Sequence, residues 1–210
     1  GTFGCERHVI RFYGQPAHSG STPIPYRRDA FLAAAEFALE CRKIGLKNSG
    51  KTPVKRVVCT CGVVKVEPCA VTINPGFCEI SLDQRTLDAR VLARILAAAK
   101  KAAADAAKKN KCRMEWQSLW TIEPRLFDKT LVKFSQEAIK EVTGQNVIIP
   151  SGPLHDAAEM VPHMPTVMMF AKSDPGLSHC KEEDTPIPDL DKTIRSFLRL
   201  ADKTIAHLGR

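Results

Sequence analysis

Three short polar segments contain the histidines whose surroundings are suited to catalysis. His18 lies in the sequence GQPAHSGSTP, His155 in SGPLHDA and His179 in SHCKEEDT. A neutral imidazole can bind a metal ion, and acidic residues beside it can orient the ring. Apolar residues 166–171 lie between the last two histidines, and α/β enzymes place metal ligands in loops that follow such strands. The pattern predicts part of a metal site, because the chain shows no further ligand motif.

The composition excludes several other classes of protein. With 44% apolar and 26% charged residues, the 210-residue chain is typical of a globular protein. It has neither a run of about 20 apolar residues nor a charged-then-apolar signal segment, so we predict a cytoplasmic protein with no membrane partner. Its eight cysteines are then expected to be reduced thiols.

The net charge of +8 raises the question of nucleic-acid binding. Much of the basic excess lies within residues 43–56 and 100–111, without interleaved aromatic residues or a recognition motif. We therefore predict a solvated basic face and no nucleic-acid partner.

Residues 1–124 alternate between strand and helix periodicity. The predicted order is strand, helix, strand, strand, helix, strand, over residues 5–13, 27–44, 54–66, 77–84, 87–107 and 114–121. Short connections between these elements favour a four-stranded antiparallel sheet with two helices on one face, a ferredoxin-like βαββαβ domain of the α+β class. Gly62 interrupts the second strand and predicts a bulge or bend there.

The pattern changes after Pro124. Residues 125–210 predict three helices and two short parallel strands, with helices at 127–142, after residue 156 and at 189–207, and strands at 146–149 and 166–171. So short a segment cannot bury both faces of a sheet. We interpret it as the closing portion of an α/β domain whose other strands are absent from this sequence.

Four motifs resemble those of the dinuclear-metal amidohydrolases, which include N-carbamoyl-L-amino-acid hydrolases, β-ureidopropionases and allantoate amidohydrolases. This family belongs to a superfamily with the aminoacylases and carboxypeptidases of the G type. In family order, the motifs are residues 14–23 with 28–30, residues 74–76 with 81–85, residues 151–157, and residues 176–179. The resemblance implies an α/β protein in which residues 1–124 form a lid, or dimerisation, domain and residues 125–210 form the end of the catalytic domain. It also implies an incomplete chain, since the family enzyme is roughly twice as long and its first half carries most metal ligands.

The resemblance assigns roles to three residues. His179 matches a ligand of one of two divalent metal ions, for which Zn, Mn, Co or Ni are the candidates. His18 matches the lid histidine that reaches across a homodimer and donates a hydrogen bond to the substrate carbonyl, an oxyanion-stabilising role. Arg85 matches the arginine that clamps a substrate carboxylate. A salt bridge to Asp83 is the simpler alternative for Arg85.

Further substrate contacts are expected at two places. The family's substrate-binding asparagine falls at Thr72 or at Asn74; the two share a face of an extended segment, so either can serve. Gly152 and His155 belong to a substrate-binding loop in which Leu154 replaces a more usual glycine.

The implied reaction is hydrolysis of the C–N bond of an N-carbamoyl amino acid or a related ureido acid, a small carboxylate substrate. Two alternatives stay open: an aminoacylase- or dipeptidase-type metallopeptidase, and a non-catalytic dimerisation module. A homodimer through the lid is expected, with contacts at residues 54–66 or at the helix over 27–44.

Overall fold

The computed structural model describes residues 1–209, and the chain divides into two compact units. The first unit comprises Phe3–Pro124, and the second combines Gly1–Thr2 with the chain from Arg125 onward. None of the helices in residues 1–209 is long and apolar enough to cross a membrane.

The first unit has the predicted βαββαβ order. Its main elements are β1 (Gly4–Tyr13), β2 (Ala17–His18), α1 (Ala30–Asn48), β3 (Val57–Thr60), β4 (Val64–Glu67), β5 (Ile73–Asn74), β6 (Phe77–Thr86), α2 (Ala89–Lys109) and β7 (Arg113–Ile122). The main sheet is antiparallel, in the order β3-β6-β1-β7, and β4 also pairs with β6. The ferredoxin-like prediction is confirmed.

The strand predicted over residues 54–66 is divided into β3 and β4, both paired with β6. At the break, the backbone N–H groups of Gly62 and Val63 donate to the Ser81 hydroxyl oxygen at 3.2 and 2.9 Å. These bonds replace those of the interrupted ladder, which accounts for the bend predicted at Gly62.

One face of the main sheet packs against both helices. Ile10, Phe12 and Leu82 from the strands are buried with Phe37 of α1 and Ile95 of α2. Strand residues alternate between the two faces of a sheet, so the same strands present polar residues on the opposite face.

Both helices of this unit begin later than predicted, because an aspartate caps each one. Asp29 accepts hydrogen bonds from the backbone N–H groups of residues 31 and 32, and Asp88 accepts from those of residues 90 and 91. Such N-caps satisfy otherwise unpaired donors and fix the first turn.

The second unit contains α3 (Lys129–Thr143), the short α4 (Ala157–Met160) and α5 (Ile187–Leu208). Helix α3 ends at Gly144, which has a φ of 73° in the left-handed region that glycine favours. Helices α3 and α5 pack together, and Lys203 pairs with Glu137 and Glu141 across them.

The prediction of two parallel strands in this unit is wrong. Neither residues 146–149 nor residues 166–171 form a strand. Beside these two segments, the backbone pairings include an isolated bridge between Thr2 and Ser151 and a bond from the Asp128 N–H to the Thr166 carbonyl. A ladder needs repeated hydrogen bonds to a neighbouring strand, and a β-branched apolar pattern cannot reveal whether that neighbour is present.

Candidate functional site

His18 lies on a two-strand ribbon that is separate from the main sheet. Strand β2 pairs antiparallel with β5, so that His18 is opposite Ile73. The exposed imidazole is oriented by its own turn, because its Nδ1 atom accepts hydrogen bonds from the backbone N–H groups of Gly20 at 3.1 Å and Ser21 at 3.2 Å. An accepting Nδ1 leaves the proton of the neutral ring on Nε2. The structure therefore makes Nε2 a hydrogen-bond donor.

The same ribbon separates the two candidates for the substrate-binding position. Asn74 is only 6% exposed, and its Nδ2 donates to the Gln15 carbonyl at 3.0 Å. Thr72 is exposed in a turn, and its carbonyl accepts from the Ser19 N–H at 2.7 Å. The expectation that they share a face is wrong, because Thr72 precedes the extended segment. Thr72 is the accessible residue beside His18, and Asn74 supports the ribbon.

The buried Asn74 side chain is not fully satisfied. Its Oδ1 atom has no hydrogen-bond partner among residues 1–209. Nearby, a Cβ atom on Gly76 would lie 2.3 Å from the Pro16 side chain. The close approach requires glycine at this position and lets Pro16 pack against the backbone of residue 76.

Arg85 is held by an ion pair near the end of β6. Its Nε and one terminal nitrogen donate to the two carboxylate oxygens of Asp83 at 2.7 and 3.0 Å. Arg7 also donates two hydrogen bonds to Asp83, at 3.1 and 2.9 Å. The salt bridge considered as the simpler alternative is therefore present. It orients the Arg85 guanidinium, whose side chain is 24% exposed.

This cluster has a clear electrostatic signature. Burial by itself would raise the pKa of Asp83, but the hydrogen bonds and charges of Arg85 and Arg7 outweigh it and lower that pKa. The hydrogen bond with Asp83 raises the pKa of Arg85. Arg7 was not predicted from the sequence. It lies on β1 opposite Asp83 of β6, so pairing the two predicted strands in this register would have identified it.

Gly152 and His155 lie in the loop before α4. The Ser151 hydroxyl donates to the Pro153 carbonyl at 2.7 Å, and the His155 carbonyl accepts from the Ala158 N–H at 2.9 Å. The His155 ring meets Phe170 edge-on with 6.0 Å between centroids, and its buried Nε2 has no partner within residues 1–209. A buried unpaired ring nitrogen suits a water or ligand contact.

His179 is exposed in the loop that precedes α5. Its φ of 60° is unusual for a residue other than glycine, and its backbone N–H donates to Glu183 Oε2 at 2.9 Å. Glu183 thus stabilises the turn by binding the backbone of His179. The positive φ is an example of local strain, which is often retained at functional positions.

The described residues do not themselves fit a dinuclear metal centre. In residues 1–209, no group of three or more His, Cys, Asp or Glu side chains is placed to hold a metal ion. His179 has the right chemistry for one ligand, but four-coordinate sites need further protein ligands or water.

Comparison with known proteins identifies relatives over nearly the whole chain. Residues 15–203 match the sequence profile of Peptidase family M20/M25/M40. An N-carbamoyl-L-amino acid amidohydrolase of Geobacillus stearothermophilus is 29% identical over 170 residues, covering 81% of this chain and 40% of the relative. A ureidoglycolate hydrolase of Arabidopsis thaliana is 29% identical over 187 residues, covering 89% and 38%.

The structural comparison gives the same result. The crystal structure of an amidase of the hydantoinase/carbamoylase family from Burkholderia multivorans superposes with a TM-score of 0.88 at 30% identity, covering 95% of this chain and 47% of that chain. The chain therefore spans about half the length of the proteins it resembles.

Proposed function

Because the chain belongs to peptidase family M20/M25/M40, we propose that it provides part of an amidohydrolase that cleaves a linear amide C–N bond. The proposed substrate is an N-carbamoyl amino acid or a related ureido acid. The names of two relatives support this class, since N-carbamoyl amino acids and ureidoglycolate each combine a ureido group with a carboxylate. The observation that carries the proposal is the family match together with the fixed orientation of His18.

The proposed role of His18 is to stabilise the developing oxyanion. Hydrolysis of a ureido carbonyl places negative charge on its oxygen, and a donor oriented in advance lowers the free energy of that state. The two backbone N–H groups that bind Nδ1 keep the proton on Nε2. His18 can therefore donate this hydrogen bond in its neutral form.

Arg85 is proposed to bind the substrate carboxylate. A guanidinium group can bind two carboxylate oxygens with planar geometry. Asp83 holds Arg85 through two hydrogen bonds, so less conformational entropy is lost when the guanidinium binds a substrate. Asp83 and Arg7 are positioning residues in this proposal, while Thr72, Gly152 and His155 are proposed substrate contacts, with Asn74 supporting Thr72.

His179 is the proposed metal ligand in the described part of the chain. Enzymes of this family generally use divalent metals, and two ions chosen from Zn, Mn, Co or Ni are proposed for the complete site. A bound divalent ion would polarise the carbonyl and acidify a water molecule. Among residues 1–209, no group of three or more His, Cys, Asp or Glu side chains is placed to hold an ion, so His179 is proposed as one ligand of a site that needs others.

Two domains and a homodimer complete the proposal. Residues 1–124 would form the lid and dimerisation domain, and residues 125–210 the end of the catalytic domain. His18 would act on substrate bound in the partner subunit, because the proposed lid pairs about a two-fold axis.

A substrate panel tests the proposed function. The metal-loaded protein, in the longest natural chain that contains these residues, is incubated with an N-carbamoyl amino acid, its N-acetyl analogue and a carbamoyl amine that lacks the carboxylate. We expect ammonia from the first compound and much slower cleavage of the other two. Preferential cleavage of the N-acetyl compound would instead support an aminoacylase-type activity, and no hydrolysis of any compound would contradict the enzyme proposal.

A further inference from the structure

Four side chains form a continuous series of hydrogen bonds between β1 and β7. The Thr121 hydroxyl donates to Glu6 Oε2 at 2.9 Å, and His8 Nε2 lies 3.0 Å from the same oxygen. On the other side of the imidazole ring, Trp116 Nε1 donates to His8 Nδ1 at 3.0 Å. Both ring nitrogens of His8 are therefore engaged, and the series uses none of the residues proposed for the hydrolysis.

These bonds lie where the pairing of β1 with β7 is irregular. The register of the two strands shifts between Arg7 and His8, and such a shift disrupts the backbone ladder locally. Thr121 is the partner of Glu6 on one side of the shift, and Trp116 lies on the other side. Strand β7 is at the edge of the main sheet, where β1 is its neighbour. The side chains of Glu6 and His8 therefore join the edge strand to β1 on both sides of the irregularity.

The geometry of this series requires a neutral His8. An indole N–H can only donate, so the Nδ1 atom that accepts from Trp116 carries no proton. The proton of the neutral ring is then on Nε2, where it is donated to Glu6. An imidazolium has N–H groups at both positions, so its Nδ1–H would face the N–H of Trp116. Protonation of His8 therefore breaks its bond to β7 and places two donors against each other.

The surroundings of His8 favour its neutral form. The residue is 2% exposed. The charged groups near it are Glu6 on β1 and Lys100 on α2, while β7 presents Trp116 and β6 presents Leu82 in register, neither of which titrates. Burial lowers the pKa of His8, and the charge of Lys100 adds to this effect. The hydrogen bond and charge of Glu6 raise that pKa but do not outweigh burial.

The direction of this shift sets the pH at which the bond to Trp116 contributes to stability. The folded-state pKa of His8 lies below the ordinary value of 6.5. The neutral ring therefore stabilises the fold fully above about pH 6.5, and this contribution is lost as pH falls through the folded-state pKa.

Trp116 connects His8 to both helices of the first unit. Its ring meets Phe37 of α1 edge-on with 6.2 Å between centroids. The ammonium group of Lys100 on α2 lies 5.8 Å from the centroid of the same ring. Any movement of this indole therefore changes contacts with α1, α2 and β1 together.

We propose that His8 and Trp116 form an acid-sensitive latch on β7, which is closed while His8 is neutral and opens when His8 takes up a proton. The proton comes from the solvent and is added to Nδ1. Opening frees the indole N–H of Trp116 and loosens β7 from β1 around the register shift. The edge of the sheet is then more dynamic in acid than at neutral pH. This proposal does not depend on the amidohydrolase activity.

NMR titration of the full wild-type chain tests the latch. The ring resonances of His8 and the indole N–H resonance of Trp116 are followed from about pH 8 to about pH 5. We expect both to change with one midpoint below about pH 6.5. Amide exchange in residues 113–122 should become faster at the same midpoint, after correction for its intrinsic pH dependence. The proposal would be overturned if His8 titrated with no change in Trp116 or β7, or if His8 stayed neutral down to the pH at which the chain unfolds.

Matched variants separate protonation from packing. In His8→Gln, the amide can still donate to Glu6 but takes up no proton in this range, so the Trp116 resonance should no longer change with pH. Lys100→Met removes a charge that opposes protonation, so the midpoint should move to higher pH. His163→Gln changes an exposed histidine and should leave the midpoint where it is.

The outcomes of these variants decide the role of His8. A Trp116 transition that persists in His8→Gln, or that disappears in His163→Gln, would contradict the latch. An unchanged midpoint in Lys100→Met would contradict the electrostatic account of His8. If His8→Gln does not fold, the wild-type titration and Lys100→Met still decide the question.

Discussion

Replacing His18 is expected to remove one hydrogen bond from the transition state and little else. Nδ1 accepts from two backbone N–H groups at 3.1 and 3.2 Å, so Nε2 is the atom that can donate to a carbonyl oxygen. Loss of one donor of this kind costs about 100- to 1,000-fold in kcat, or about 2.7–4 kcal/mol. His18→Ala should therefore reduce kcat by roughly this factor.

The structural cost of the same change should be small, and a matched variant can show it. The residues around the turn are exposed, so water can satisfy the two N–H groups that His18→Ala releases. In His18→Asn, the side-chain oxygen can accept from the same turn, but no donor remains at the Nε2 position. In His18→Gln, an amide N–H can come close to that position.

Steady-state kinetics on a carbamoyl substrate and thermal melting together check this reasoning. We expect His18→Asn to melt like wild type and to lose as much kcat as His18→Ala, whereas His18→Gln recovers part of the loss. The metal content of all three variants should equal that of wild type. Full activity in His18→Asn would refute the donor role, and equal loss in all three variants together with a lower melting temperature would indicate a structural role.

Three further predictions concern the charged groups of the first unit. Arg85→Ala should raise KM for carboxylate substrates roughly 10- to 150-fold, the equivalent of about 1.5–3 kcal/mol for a charged hydrogen bond. KM for an analogue without a carboxylate should change little. Equal effects on both compounds would refute carboxylate binding. Because the folded-state pKa of Asp83 is lowered, its contribution to stability should be complete above about pH 5 and decline as pH falls through the unfolded value of about 3.9 towards the folded pKa. Unfolding curves should therefore converge for wild type and Asp83→Asn at acidic pH and differ at neutral pH. Asp88→Ala should lower the free energy of unfolding by about 1 kcal/mol, because it removes an N-cap. Asp105→Ala loses only an exposed ion pair with Lys101 and should change the free energy of unfolding by less than about 0.5 kcal/mol. Chemical denaturation of both variants distinguishes the two effects.

The fold of the first unit was largely predictable because its signals are local. The alternation along β6 and the apolar stripe of α2 both follow directly from side-chain periodicity. The bend at Gly62 was also indicated by the residue itself. Local periodicity carries no information about whether a strand has neighbours to pair with. For this reason the predicted strands over 146–149 and 166–171 were wrong.

The sequence indicated candidate site residues, whose roles stay predictions, but it did not indicate their contacts. The motif around His18 indicates a functional histidine, but only the folded turn shows which ring nitrogen accepts hydrogen bonds. Likewise, spacing placed Asp83 near Arg85, while the contribution of Arg7 depends on the pairing of β1 with β6. Whether Thr72 or Asn74 is accessible depends on where the extended segment begins, and sequence patterns locate such boundaries poorly.

The central proposal is that His18 and His179 serve different steps of the hydrolysis, with His18 acting on substrate bound in the partner subunit. Mixed dimers of His18→Ala and His179→Ala subunits, prepared in the longest natural chain that contains these residues and verified by two affinity tags, test it most directly. Each parent dimer should be nearly inactive, the first with its metal retained and the second with metal lost. The mixed dimer should recover a substantial part of the wild-type activity, because one of its sites receives an intact His179 and an intact His18 from the partner. No recovery in verified mixed dimers would contradict the shared site.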